Sequence, residues 1–422
     1  MKHTHFIRLL SVLLVLVLVF AMTGCGKKKS SDGLTLTFQQ WWADECPDGY
    51  FQELVDGFTE QTGIKIELYN APNAETKTTL LAGAANGTIA DIVGLDGGWV
   101  YELATNEVIT PLDELFETGG VDTSQFSDMW KLDGKSYGTP VVSFAYPLFV
   151  NTDILEACGI TEMPTTRSEF KEACKIITDK GYNAFAYNFD TSNPAGLNHV
   201  FCNLFWESGG QMRGDDGLFY LSDNDQFLKT ADYLKDMLDD GVIYPGFATM
   251  KEADLTSLFG SGELAFTTCS ISMITTWETD SPNLNFTAIP MPVEDGYTGT
   301  RYADYACWGI GISENCEYKQ EAMQFINYMF SSEANSSLAQ TKGCFPGSTK
   351  ADPDYSQSSP TFQKVFEYWQ QHTPRAEFNG TKDTSVLRTG ILENLVSYLL
   401  GDSTPREFLD GCQAVCDKVY NE

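Results

Sequence analysis

Positive charge is scarce in this chain. Of its 422 residues only 27 are Lys or Arg, against 58 Asp or Glu, a formal charge of −31. Phosphate backbones repel such a surface, which excludes a nucleic-acid partner. An anionic ligand would need a pocket that reverses the field locally. Histidine is rarer: there are four, and only His199 and His372 lie beyond the first five residues. No Ser/His/Asp arrangement is evident among so few. Cysteine is plentiful, but no CxxC and no Cys/His ligand spacing occurs, so no structural zinc site is expected. No G-x-x-x-x-G-K-[ST] loop is present to bind ATP phosphates. No cofactor is therefore expected. Long apolar runs are missing after the extreme N-terminus, which excludes a polytopic membrane protein. What is present, 42% hydrophobic and 13% aromatic residues, excludes disorder and suffices for large cores. At about 150 residues per domain, the length suggests two or three domains.

Residues 1–24 read as an address. Lys2 and Arg8 form a positive n-region, and Leu9 to Phe20 is an apolar stretch of signal-peptide length. Met22-Thr23-Gly24-Cys25 resembles the lipobox of bacterial lipoproteins. That resemblance implies cleavage before Cys25, lipidation of its thiol, and residues 25–33, with Lys27-Lys28-Lys29-Ser30-Ser31, as a polar tether. Cleavage leaves 25 basic and 58 acidic residues, a charge of −33, and ten further cysteines whose pairing stays open. Cys158, Cys174 and Cys202 sit in apolar helical patterns and read as core residues.

Leu34 to Phe38 alternates with period two, Phe51, Leu54, Val55 and Phe58 recur at helical spacing, and Gly63 stops that helix. Ile64 to Leu68, Thr76 to Ala85, Ala90 to Val93 and Trp99 to Thr105 continue a strand–helix alternation that implies an α/β fold with a parallel sheet. Ligands bind such sheets beyond the C-terminal strand ends. Those positions hold Trp41, Trp42, Asp44 and Glu45 after the first strand and Asp96 to Trp99 after the third. A second unit opens after Pro140. Thr166-Arg-Ser-Glu169 is a capping box, Ala184 to Tyr187 strand-like, and His199 to Glu207 helical. Asp223 is placed to cap the helix carrying Phe227 and Leu234. Leu284 to Pro290 reads as a strand, and Glu317 to Phe330, Phe362 to Gln370, Leu387 to Leu399 and Pro405 to Val419 as helices.

Several stretches resemble the extracellular solute-binding proteins of carbohydrate ABC importers, family 1. They are Ala90-Asp91-Ile92-Val93 with Asp96, Trp99 and Pro111-Leu112-Asp113; Asp133 to Pro140; Asn151 to Leu155 with Gly159-Ile160; Pro164 with Thr166, Glu169 and Phe170; Gly262 to Phe266; Trp308 to Ser313; and Ala322 to Phe330. They keep family order from Leu34 to about Gly347. Two departures stand out: Arg167 occupies the usual place of a Trp, and Trp277 lies further on than the family's aromatic. The resemblance implies a two-lobed periplasmic-binding-protein-like fold of class II type, with a hinge between lobes. Residues 34–142 with 306–350 would form one lobe and 143–305 with 351–422 the other. It also implies a monomer that is no enzyme, lipid-anchored at Cys25 on the outer face of the membrane, delivering a sugar to permease subunits.

A sugar offers an apolar C–H face and a rim of hydroxyls. Aromatic rings suit the first, and carboxylates or amides the second. Trp41, Trp42, Asp44 and Glu45 offer both. Adjacent strand residues face opposite ways, so one of the two tryptophans should reach ligand and the other pack beneath. Asp96 and Trp99 repeat that duality, Asp96 serving also as a possible helix cap. Trp308, with Asp304 and Tyr305 before it, and Tyr146 near the first crossover complete the candidates. Trp206 fits core or cleft wall equally; Arg301 is a ligand contact or a surface charge; Trp130 and Trp369 read as core or surface. With few basic residues near this cleft, a neutral mono- or oligosaccharide is expected. Two alternatives stay open: a glycan adhesin or sensor component, and a glycoside hydrolase, which needs a carboxylate pair that so acidic a sequence cannot single out.

Overall fold

A computed structural model describes residues 33–214 and 216–421. The leader, Cys25 and the tether as far as residue 32 lie outside the described residues. Within them, no helix is long and apolar enough to cross a membrane.

Strands β1 (Thr35–Gln40), β2 (Lys65–Asn70) and β3 (Ile92–Leu95) alternate with helices Tyr50–Thr62 and Asn73–Asn86. Phe51, Leu54, Val55 and Phe58 bury one face of the first helix, and Gly63 ends it at φ 76°, a left-handed turn that glycine makes without steric penalty. β1 pairs in parallel with both β2 and β3. The parallel order stops there. β4 (Trp130–Leu132) and β5 (Lys135–Ala145) follow, and β5 leads out of this sheet. A small sheet then takes β6 (Leu148–Asn151), β7 (Asn183–Ala186), β8 (Leu264–Thr268) and β9 (Phe286–Ile289), in the order β7-β8-β6-β9. β10 (Tyr302–Ile312) returns to the first sheet, joined by β11 (Phe345–Pro346) and β12 (Thr373–Arg375). The large sheet runs β11-β5-β10-β3-β1-β2, with β4 on β5 and β12 on β10. It is mixed rather than parallel, because the returning β10 lies antiparallel to both β3 and β5.

Packing follows the strand pleat. On β6, Leu148 and Val150 join the core that holds Phe170 and Phe185, while Phe149 faces Phe259 and Trp277 in the core continuous with the large sheet. Trp277 is therefore a core residue, its indole N–H donating to the Thr256 carbonyl. Trp130 is buried, and Trp369 stacks on Phe345 with ring centres 4.9 Å apart. The helices Thr384–Leu399 and Pro405–Asn421 pack on each other, and the first of them also on Asp225–Asp239. That last helix is capped by Asn224, which accepts from the Phe227 N–H at 3.0 Å; the Asp223 expected there pairs with Arg406 instead. The expected helix over 199–207 divides into a π-helical turn, Leu197–Cys202, and an α-helix, Asn203–Glu207.

Arg167 is buried where the resemblance has tryptophan. Its guanidinium donates to the Leu204 carbonyl at 2.9 Å and to Thr230 Oγ1 at 3.1 Å, and lies 5.4 Å from the Tyr233 ring centre. A flat, stacking cation thus fills a flat residue's place, and burial lowers its pKa. The ten cysteines of the described residues are free thiols, all buried except the half-buried Cys46. Burial pushes the Cys416 thiol up to about 12, which keeps it protonated and unreactive.

A bulge between Trp308 and Gly309 shapes the return strand. A β-carbon on Gly309 would lie 2.1 Å from Trp130. Gly309→Ala should cost about 1–3 kcal/mol through overpacking, read as a lowered midpoint in chemical denaturation; an unchanged midpoint would show that Trp130 moves aside freely.

Candidate functional site

A cavity of about 570 Å³ opens between the two sheets, where the loops after β1 and β3 meet the crossing strands and the small-sheet lobe. A more open depression of about 930 Å³ lies around Asn151, Tyr182 and Gly262, at the far end of the small sheet from the crossings.

Of the residues singled out from sequence, Trp41, Glu45, Asp96, Trp99, Tyr146, Tyr305 and Trp308 line the first cavity. Trp41 and Trp99 pack at 5.7 Å with planes tilted by 58°, and Trp99 is the more exposed of the two. Trp308 lies against Phe144 at 5.3 Å, with the Lys342 ammonium 5.6 Å from its ring centre. Glu45 is held by Lys342 at 3.4 Å. Asp96 caps the turn Gly97–Trp99 by accepting the Gly98 N–H at 2.8 Å.

Four candidates fall elsewhere. Trp42 is fully buried beneath the cavity, parallel to Trp308 at 5.5 Å. The strand alternation expected across Trp41 and Trp42 does not apply, because β1 ends at Gln40 and Trp42 opens the 3-10 turn Trp42–Glu45. Asp44 is exposed and accepts from Asn70 at 2.9 Å, outside the lining. Trp206 is fully buried, its indole N–H satisfied by Glu377. Asp304 is buried behind the wall, where it accepts from His199 Nδ1 at 2.6 Å. Arg301 is outside that lining: it donates to Glu207 at 2.7 Å, and His372 meets the same carboxylate at 3.1 Å.

The structure adds residues that pattern reading passed over. His199 lines the cavity with its ring stacked on Tyr146, centres 3.5 Å apart and planes 2° from parallel. A carboxylate can only accept, so Asp304 fixes the proton on Nδ1 and leaves Nε2 as the ring's other polar atom. Burial, aided by Glu252 and Asp304, holds the Tyr146 phenol well above its usual range, so it stays a neutral surface. Asn198 and His199 reach the cavity from the π-helical turn, a device common at functional sites and without a sequence signature. Ser270 and Ser272 follow β8, and Ser385 and Arg388 come from the helix Thr384–Leu399. Among the described residues, no group of three or more His, Cys, Asp or Glu is placed to hold a metal ion.

Two mixed α/β lobes sharing crossing strands, with an aromatic and polar cavity between them, define a two-lobed binding protein of the periplasmic type. The family model described as bacterial extracellular solute-binding protein matches residues 53–366, and the chain belongs to that family. A binding protein of Brucella abortus is 26% identical over 312 residues, covering 72% of this chain and 74% of its own. In fold, the chain is similar to the cyclic alpha-maltosyl-1,6-maltose binding protein from Arthrobacter globiformis, with a TM-score of 0.77 at 18% identity, covering 92% of this chain and 98% of the other. It is similar also to a chitin oligosaccharide binding protein, TM-score 0.75 at 19% identity over 92% and 99% of the two chains. An ABC substrate-binding protein of Listeria monocytogenes in complex with cycloalternan gives 0.74 at 19% identity over 92% and 100%. The family and these neighbours are binding proteins rather than enzymes.

A backbone contact lies beside the cavity. Gly380 N–H donates to the Gly97 carbonyl at 3.2 Å, joining the loop after β3 to the segment that precedes the helix Thr384–Leu399. A β-carbon on Gly97 would lie 2.6 Å from Asn379. Gly97→Ala should wedge the lobes apart, increasing the radius of gyration in small-angle scattering and weakening the best ligand about tenfold. Identical scattering and affinity would show that the contact carries no closing force.

Proposed function

We propose that this solute-binding protein is anchored by lipid at Cys25 and captures a neutral sugar or oligosaccharide in the cavity between its lobes, for delivery to ABC permease subunits. The lobes are read as 34–142 with 306–350 and 143–305 with 351–422, closing on the ligand as a hinge. The observation that carries the reading is the lining itself: half-buried Trp99, backed by the nearly buried Trp41 and Trp308, gives an aromatic surface for a sugar's C–H face, beside Glu45, Asp96 and Asn198 for its hydroxyls. Charge supports a neutral ligand. The bases Lys77 and Arg388 do not outnumber the acids Glu45, Asp96 and Glu252, and Lys77 is already paired with Glu102 at 2.8 Å. The sugars named for the structural neighbours agree with it. The predicted lipobox ending at Cys25 and the basic tether support anchoring.

Titration calorimetry against a panel of neutral mono- and oligosaccharides is the direct test. At least one should bind, and Trp99→Ala should weaken it by about 1–2 kcal/mol while leaving the protein folded. Binding of peptides, polyamines or metal ions in place of every sugar would overturn the carbohydrate assignment. For anchoring, Cys25→Ala should move the protein from the membrane fraction to the medium and abolish incorporation of a labelled fatty acid. Membrane retention of the variant would refute lipidation at that thiol.

A further inference from the structure

We infer that Arg388 is a ligand-holding residue of this cavity: its guanidinium donates hydrogen bonds to an oxygen edge of the bound solute. The inference rests on the sugar-binding reading above and names a residue that neither the family match nor the sequence pattern brings to the site. Arg388 stands one turn into the helix Thr384–Leu399, and Thr384 and Ser385 at the head of that helix line the same wall.

The cavity's other fixed charges have protein partners, with one exposed exception. Lys77 is bonded to Glu102, Glu45 to Lys342, and Asp96 to the Gly98 N–H. Behind the wall, Asp304 holds His199. Glu252 has no hydrogen bond or ion pair among the described residues, but it is exposed and so solvated by water. Arg388 differs. It is half-buried, it makes no hydrogen bond or ion pair among the described residues, and its Nε is fully buried with no acceptor. Guanidinium carries five donors and no acceptor, and it cannot shed its charge. A buried N–H of this kind costs free energy unless something accepts from it. Arg388 lines the cavity, and an acceptor arriving there meets the part of the guanidinium that is not enclosed.

The shared chemistry of an acceptor is an sp³ or carboxylate oxygen. Sugar hydroxyl and ring oxygens supply it in a neutral ligand, and a uronate carboxylate supplies it in an acidic one. The nearby groups favour the neutral source. The lining also carries Glu45, Asp96 and Glu252, which repel a carboxylate ligand.

The test uses the whole mature chain, with Arg388→Met and Arg388→Lys, against neutral oligosaccharides and matched oligouronides. Arg388→Met should weaken the best neutral sugar about 10- to 100-fold, the range of a charge-assisted hydrogen bond, and Arg388→Lys should recover part of it. The ligand-free melting temperature should stay level or rise, because an unsatisfied buried donor has been removed. A uronide that binds more tightly than its neutral counterpart, with the advantage lost in Arg388→Met and in high salt, also supports the role and assigns the acceptor as carboxylate. Unchanged affinity in Arg388→Met, with Trp99→Ala still impaired, would overturn the inference and leave the sugar-binding reading standing. A fall of several degrees in the ligand-free melting temperature, with unchanged affinity, would make Arg388 structural. If the unaltered chain binds no sugar, the sugar-binding reading itself fails and takes this role with it.

Discussion

Where β5 and β10 pair, from Thr139 opposite Ile310 to Ala145 opposite Tyr305, two strands serve both lobes at once. Each lies in the large sheet over most of its length, and each connects to the small one at the end near the cavity. Because the pair is antiparallel, both crossings fall at the same end. That forces Phe144, Tyr305 and Trp308 to the floor of the cavity whatever the lobes do above them. It also turns the large sheet from parallel to mixed, since a strand returning from a neighbouring lobe arrives head-on to those it left.

The floor is stiff for a reason visible in its second layer. Trp308 rests on fully buried Trp42, and Trp42 in turn meets Phe38 and Phe51 edge to face at 5.3 and 5.9 Å. An aromatic surface offered to a ligand is thus the top of a stack that runs into the hydrophobic core. On the opposite wall, the order comes from polar bonds. Asn203 donates to the Tyr146 carbonyl at 2.7 Å and accepts from the Asp304 backbone, while Asp304 grips His199. Such a network is worth its burial only when its members are satisfied, and one oxygen of Asp304 remains without a partner.

How far this was legible in the sequence depends on which period carried the information. Local alternation announced β1 to β3 and their helices, so the loops after β1 and β3, with Trp41, Glu45, Asp96 and Trp99, could be found from strand order alone. Strand pleating did not carry over to Trp41 and Trp42, because the strand ends at Gln40 and a 3-10 turn, Trp42–Glu45, begins there, burying both rings. Long-range pairing was not legible: nothing around Asp304 reveals that its side chain faces a histidine 105 residues away. Nor does a π-helical turn differ in composition from the α-helix expected across 199–207, yet it is that turn that brings Asn198 and His199 to the cavity. Arg388 was hidden in the same way, inside a stretch read only as a helix from Leu387 to Leu399.

The acidity of the chain takes on a local meaning at this site. A protein with more than twice as many acids as bases has little positive charge to place, and about half of the lysines and arginines among the described residues sit in ion pairs with those acids. A half-buried base with no acceptor of any kind is the informative case, because its N–H groups are costly to leave unbonded. Arg388 lines the cavity without one. Glu377, the nearest acid in sequence on its amino-terminal side after the exposed Asp383, is committed to Trp206 and to the backbone of Met212 and Arg213. The same abundance of acid that makes a phosphate or polyanion a poor partner for the whole surface thus throws into relief a cavity-lining guanidinium that no described acid engages.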